Sequence, residues 1–294
     1  MVGNLKSTMK KLTFLFIFLL FYCCQDYGKL NVVTDLPSKL KEVSGTETVF
    51  NSDLIWMLND SGNKPELYGV TSKGKIKKVV KIQAKNHDWE DLTSDDEGNI
   101  YIGDFGNNES RRKNLVILKV AKDSLINNKK VAIERIRFSY PNQTKFPPKK
   151  KKRFFDAEAF FYLNNYLYIF TKSRVKHQFG KTSLYRIPAT EGSHTAEFIS
   201  EFNNCNDLQC WITSADITED GKKIALLTHN EVLVFSNFKD DNFFKGNLKV
   251  FPLEHTSQKE SITFKDENTL LITDERSHGS GGKLYKFKLN MFIQ

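Results

Sequence analysis

A pattern that recurs five times restricts the fold of this chain more than any other feature, because a repeated unit too small to bury its own apolar face must stack on its neighbours. Each repeat opens on a short segment with a small or acidic residue before an apolar one: Val43-Ser-Gly-Thr46, Trp89-Glu-Asp-Leu92, Ala157-Glu-Ala-Phe160, Ser214-Ala-Asp-Ile217 and Lys259-Glu-Ser-Ile262. A polar turn follows each time, as at Asp95-Asp-Glu-Gly-Asn99, Asn164-Asn165 and Glu219-Asp-Gly221. An apolar strand ending in a polar residue comes next, at 55–60, 100–104, 167–172, 224–229 and 270–274, and a third strand at 67–70, 115–120, 184–187, 232–235 and 284–287. Short strands with turn signals at this spacing mark an all-β repeat fold. The 24 Phe and 10 Tyr agree, since flat aromatic side chains pack well on a pleated surface.

A fourth strand, at 76–82, 132–140, 196–202 and 248–253, completes only the first four repeats. The fifth has no room for one, whereas Leu30-Asn-Val-Val-Thr-Asp-Leu36 is an orphan strand that can complete it and close a ring. The expected fold is an all-β β-propeller of five four-stranded blades over residues 29–294, closed by its N-terminal strand. The 68 residues from Glu90 to Glu158 exceed every other step and leave room for a sixth, degenerate blade.

Residues 1–23 read as an export signal rather than as part of the fold. Lys10-Lys11 precedes eleven uncharged residues, 12–22, which are too few to span a bilayer. The run ends in Cys23-Cys24-Gln25, as in a bacterial lipoprotein signal, with Cys24 the expected lipidation site, Cys23 the alternative, and 24–28 a short tether. Phe21 and Tyr22 depart from the usual small residues, so an ordinary cleaved signal is the competing reading. The expected location is the bacterial cell envelope, with the membrane as a partner through the lipid. Loss of Lys6, Lys10 and Lys11 with the signal lowers the formal charge from +9 to +6. Lys149-Lys-Lys-Lys-Arg153 follows Pro147-Pro148 and reads as a solvated loop that can also rest on anionic headgroups, and no nucleic-acid partner is expected of an exported chain. Cys205 and Cys210 are close enough for a short-loop disulfide in an oxidising compartment.

In a propeller blade the start of the first strand and the end of the second lie at the same mouth of the channel. Glu90, Asp91, Glu158, Asp216 and Glu260 are expected there from first strands. Asp60, Asp104, Lys172, Arg174, His229, Asp274, Glu275 and Arg276 come from second strands and the loops after them. Several carboxylates suit a hard cation such as Ca²⁺, with Glu90, Asp104, Glu158 and Asp274 the expected ligands. Lys172, Arg174, His229 and Arg276 suit an anionic ligand beside it. The competing reading is architectural, since repeats reuse an acid to cap backbone N–H groups. It is weakened by the cations, which break the acidic pattern at equivalent positions.

Trp56-Met-Leu-Asn-Asp-Ser-Gly-Asn63, Asp88-Trp-Glu-Asp-Leu92 and Tyr101-Ile-Gly-Asp-Phe-Gly-Asn-Asn108 resemble the repeated signatures of SdiA-regulated-type β-propeller proteins, which are similar to esterase-like phytase domains. The resemblance implies an envelope propeller, and its phytase side implies Ca²⁺-assisted phosphate-ester hydrolysis. No motif specifies a reaction, because Asp104-Phe-Gly106 lacks the other kinase elements and Gly279-Ser-Gly-Gly-Lys283 lacks P-loop spacing. The expected function is therefore recognition of a polar or anionic small molecule, or of an envelope protein, at the channel mouth. Hydrolysis of a phosphate ester, or of a glycoside with Glu90 and Glu158 as the carboxylate pair, is the alternative.

Overall fold

The computed structural model describes residues 25–49, 52–127, 130–277 and 279–292. The expected export segment, with Cys23 and Cys24, lies outside the described residues. Alternating apolar positions separated by turn residues form five sheets around a central channel. From the channel outward, blade 1 holds Val43–Thr48, Ile55–Asn59, Glu66–Val70 and Ile76–Ile82, and blade 2 holds Trp89–Ser94, Ile100–Asp104, Leu115–Val120 and Glu134–Ser139. Blade 3 holds Asp156–Leu163, Tyr166–Lys172, Lys181–Pro188 and Glu197–Asn203. Blade 4 holds Ser214–Ile217, Lys223–Leu227, Glu231–Ser236 and Asn247–Pro252. Blade 5 holds Lys259–Asp266, Thr269–Asp274 and Lys283–Lys288, and its outermost strand is the N-terminal Asn31–Asp35, antiparallel to Lys283–Lys288. The ring is thus closed by the orphan strand, and the innermost strands touch in order around it.

No sixth blade forms among the described residues. The long step between blades 2 and 3 is taken up by a helix, Lys122–Asn127, and by Lys130–Val131, which pairs parallel to Ile76–Ile82 as a fifth strand on blade 1. The rest is the loop 140–155, in which Lys149–Lys152 are exposed as expected. Blade 2 gains a fifth strand in the same manner, Gly192–Thr195, parallel to Glu134–Ser139.

Burial explains why a chain of small sheets is stable. Each of the five interfaces between neighbouring blades holds one apolar cluster, for example Trp56, Leu58, Trp89 and Ile102 between blades 1 and 2, and Phe161, Phe170, Leu226 and Phe243 between blades 3 and 4. Between blades 5 and 1 the cluster includes Leu36 and Leu40, so the closing segment supplies part of the seam it closes. Turn chemistry supports the hairpins. Asn164 and Asn165 sit at φ of 50° and 65°, the left-handed pair that a two-residue hairpin needs and that asparagine tolerates.

Candidate functional site

Four of the five innermost strands carry an irregularity at the same place. Register slips between Val43 and Gly45, Trp89 and Leu92, Ala157 and Ala159, and Lys259 and Ser261, so that an extra residue bulges from the ladder near the start of each strand. A bulge re-aims a side chain. Here it turns Ser44, Glu90, Glu158 and Glu260 into one cavity of about 680 Å³ at the channel mouth. Blade 4 has no such slip, and contributes His229 and Trp211 from its loops instead.

One side of the cavity is acidic, and among the described residues no ion pair is made by Asp60, Asp88, Glu90 or Glu275. Carboxylate oxygens of Asp60, Asp88 and Glu90 all lie within 4.8 Å of one another. Glu90 is only 8% exposed, and among the described residues no donor or cation reaches its carboxylate. Burial, reinforced by the charges of Glu158, Asp60 and Asp88, holds its carboxyl well above the usual range. Burial pushes Asp60 up to about 6 and raises Asp88, against the pull of the Arg112 guanidinium on the latter. Glu275, also on the cavity wall, is pushed by burial and by Glu260 up to about 8. Gly106 explains part of the Gly-Asp-Phe-Gly stretch. Any Cβ there would collide with the carboxylates of Glu90 and Asp88, while its N–H binds the Asp88 carbonyl at 3.2 Å.

The facing side is cationic. Lys172, 5% exposed, forms an ion pair with Glu158, and Arg174 bridges Asp156 at 2.5 Å and Glu158 at 2.8 Å while also binding Asn108. Burial works against the charge of Glu158, but Lys172 and Arg174 outweigh it and hold the carboxyl below its usual range. For Asp156 burial wins and the carboxyl rises to about 6. The Trp211 ring lies 4.8 Å from the Lys172 ammonium and 4.7 Å from the Arg174 guanidinium, and its N–H donates to the Ser173 carbonyl at 2.6 Å. Cation–π contact of this kind fixes both side chains in the cavity wall. Trp211 follows directly on Cys210, which is joined to Cys205 in a disulfide with Cα atoms 5.8 Å apart. His229 stands 3.7 Å from Glu260.

The four carboxylates expected to share a cation do not converge. Asp104 is enclosed by its own blade, accepting from Arg112 at 2.7 Å and from the Asp88 N–H, with His87 at 3.0 Å. Asp274 accepts from the Lys283 N–H at 2.9 Å and the Tyr285 hydroxyl at 2.8 Å. Both are saturated and neither lines the cavity. Among those four, only Glu90 and Glu158 reach it, and Glu158 is committed to Lys172 and Arg174. Asp91 points the other way, accepting from Ser214 at 3.0 Å to tie blade 2 to blade 4 inside the channel, and Asp216 caps the N–H groups of Ile217 and Phe264. Arg276 donates to the Leu36 carbonyl at 2.6 Å, clasping the closing segment outside the cavity. Asp91, Asp104, Asp216 and Asp274 each accept a backbone N–H, the contact that the architectural reading expects of an acid, whereas Arg276 holds a backbone carbonyl. Asp88, Asn108 and Trp211 were not singled out from the sequence, although Asp88 and Asn108 stand inside the quoted signatures.

Similar architectures are known. The chain aligns with virginiamycin B lyase from Staphylococcus aureus at 14% identity and a TM-score of 0.42, covering 86% of this chain and 68% of that one. A gluconolactonase from Xanthomonas campestris aligns at 11% identity and a TM-score of 0.48, covering 88% and 89%. A structural-genomics protein of unknown function from Bacteroides thetaiotaomicron aligns at 11% and 0.49, covering 88% and 75%. No protein-family model and no curated protein sequence matches the chain.

Proposed function

We propose that this is an envelope-anchored β-propeller, lipidated at Cys24, whose channel mouth binds a polar anionic ligand together with a divalent cation. The observation that carries the reading is Glu90, a buried carboxylate without a donor, facing Asp60 and Asp88 across less than 4.8 Å. A cation that binds oxygen at about 2.4 Å spans that separation, which suits Ca²⁺ better than the smaller Mg²⁺. The ion would neutralise charges that burial alone leaves costly. Lys172, Arg174 and His229 then face the anionic part of the ligand, and the Trp211 ring forms an apolar wall. Recognition by an SdiA-regulated-type propeller is in keeping with this site.

Millimolar Ca²⁺ is expected to raise the melting temperature of the purified chain. A concentration of about a hundred times Kd corresponds to about 2.7 kcal/mol, or a shift of about 5–10 °C for a domain of this size. Glu90→Gln keeps the volume of the side chain and removes its charge, and should abolish most of that shift. A wild type indifferent to Ca²⁺, Mg²⁺ and Mn²⁺ would overturn the cation reading. Ca²⁺-assisted hydrolysis has one observation in its favour: Glu90, whose carboxyl burial raises well above the usual range, stands beside the acidic cluster where a general acid would be needed. Chelator-sensitive turnover of model phosphate esters or glycosides would select it over simple binding.

A further inference from the structure

Charge is divided unequally between the two ends of the propeller. The segments that join strands at the cavity end are 36–42, 60–65, 83–88, 105–114, 140–155, 173–180, 204–213, 228–230, 253–258 and 275–282. They carry sixteen Lys and Arg against seven Asp and Glu. The joining segments at the opposite end, 49–54, 71–75, 95–99, 121–133, 164–165, 189–196, 218–222, 237–246 and 267–268, carry eight against eleven. Asp60, Glu275 and Arg174 line the cavity itself, which leaves fifteen cations against five acids on the rim around it. Segment 140–155 alone holds six of the cations and no acid, and Lys149, Lys150, Lys151 and Lys152 are all exposed.

The N-terminal segment is held at this same end. Tyr27 packs on His255 with ring centres 5.4 Å apart, Lys29 donates its N–H to the Leu253 carbonyl at 2.9 Å, and the Lys29 ammonium pairs with Glu254 at 2.8 Å. Gly28, at φ +56°, threads against the carbonyls of Leu253 and Glu254 where any side chain would collide. Two residues, Gln25 and Asp26, separate Tyr27 from Cys24, so the three steps between them reach at most about 10 Å. That distance is also about the Debye length at 0.1 M ionic strength.

From these two placements we infer that the cavity end of the propeller lies against an anionic phospholipid surface, so that the cavity opens toward the membrane. The basic rim supplies attraction over a distance that the tether enforces, and the acidic end faces away. The inference rests on the proposed lipid at Cys24 and is independent of whether the cavity holds a cation, because the charges it uses lie on the rim.

Lysine acylation footprinting tests it on the full chain, in solution and with vesicles of phosphatidylcholine alone or mixed with phosphatidylglycerol. On the phosphatidylglycerol vesicles Lys113, Lys149–Lys152 and Lys176 should lose reactivity several-fold, while Lys122 and Lys222 at the far end react as in solution. Raising the ionic strength from about 0.1 M to about 1 M shortens the screening length to about 3 Å and should restore their reactivity. Charge reversal of the exposed run (Lys149→Glu, Lys150→Glu, Lys151→Glu, Lys152→Glu) should abolish the protection of Lys113 and Lys176 with the melting temperature unchanged. A chain that lacks the lipid would stay in solution with phosphatidylcholine and still show the protection on phosphatidylglycerol. Cavity-end lysines as reactive on phosphatidylglycerol vesicles as in solution, or protection at the opposite end, would overturn the inference.

Discussion

Removal of residues 30–36 is expected to unfold the domain cooperatively rather than to fray one edge. The segment supplies the outer strand of blade 5 through its ladder with Lys283–Lys288, and it buries Leu30 against blades 4 and 5 and Leu36 between blades 5 and 1. The two leucines alone are worth about 3–6 kcal/mol, in a domain whose whole stability is of order 5–15 kcal/mol. Arg276, which donates to the Leu36 carbonyl, and Lys283, which pairs with Asp35, lose their partners at the same time. Blade 5 would then present an unpaired edge next to an opened seam, a template for association. Thermal unfolding followed by light scattering should show a midpoint lowered by more than about 10 °C and concentration-dependent aggregation. An unchanged midpoint would mean that the ring is closed by contacts other than this strand.

Arg174→Met is expected to be the most damaging single substitution in the cavity wall. The guanidinium bridges the carboxylates of Asp156 and Glu158, the first fully buried and the second nearly so. Glu158 keeps Lys172, but Asp156 keeps only the Asn107 N–H at 2.7 Å. Stripping one partner from a buried pair costs about 3–5 kcal/mol. The loss has a pH signature. Asp156 already titrates near 6 because burial outweighs Arg174, and without the cation its carboxyl moves higher. A folded-state value raised above the unfolded one contributes stability that is complete below the unfolded value and is lost as pH rises through the folded value. The gap in melting temperature between wild type and variant should therefore be small near pH 5 and widen toward pH 8. Arg174→Lys should not restore stability, since an ammonium cannot bridge two carboxylates as the planar fork does. Equal gaps at both pH values would place the role of Arg174 in packing against Trp211.

The repeats, the turns between their strands and the orphan strand were legible in the sequence because each rests on local chemistry. Asn164-Asn165 needs only its own backbone preference, and 30–36 stands out because the fifth repeat lacks a fourth strand. Lys172, Arg174 and His229 were legible as departures from an acidic pattern, and all three line the cavity. Asp104 and Asp274 misled because they hold the same strand-end position as Lys172, and only tertiary partners distinguish them. Arg112 encloses Asp104, and Tyr285 encloses Asp274. The bulges that aim Ser44, Glu90, Glu158 and Glu260 were not legible at all, because an extra residue in one strand exists only in relation to the register of its neighbour. Trp211 was hidden for a related reason. It belongs to no strand, and reaches the cavity from the disulfide-closed turn beside blade 3.

The central claim, that Asp60, Asp88 and Glu90 hold a divalent cation, is tested most directly by calorimetric titration of the full chain with Ca²⁺ at pH 5.5 and pH 8, each in two buffers of different ionisation enthalpy. All three carboxyls are raised above their ordinary values, Asp60 to about 6, so a cation that binds them at the lower pH must displace protons. The account predicts one Ca²⁺ per chain and tighter binding at pH 8. It also predicts an apparent enthalpy at pH 5.5 that changes with the buffer as protons are released, with Glu90→Gln reducing both the affinity and the proton count. Absence of saturable heat at either pH, or binding with the same affinity and proton count in Glu90→Gln, would contradict it.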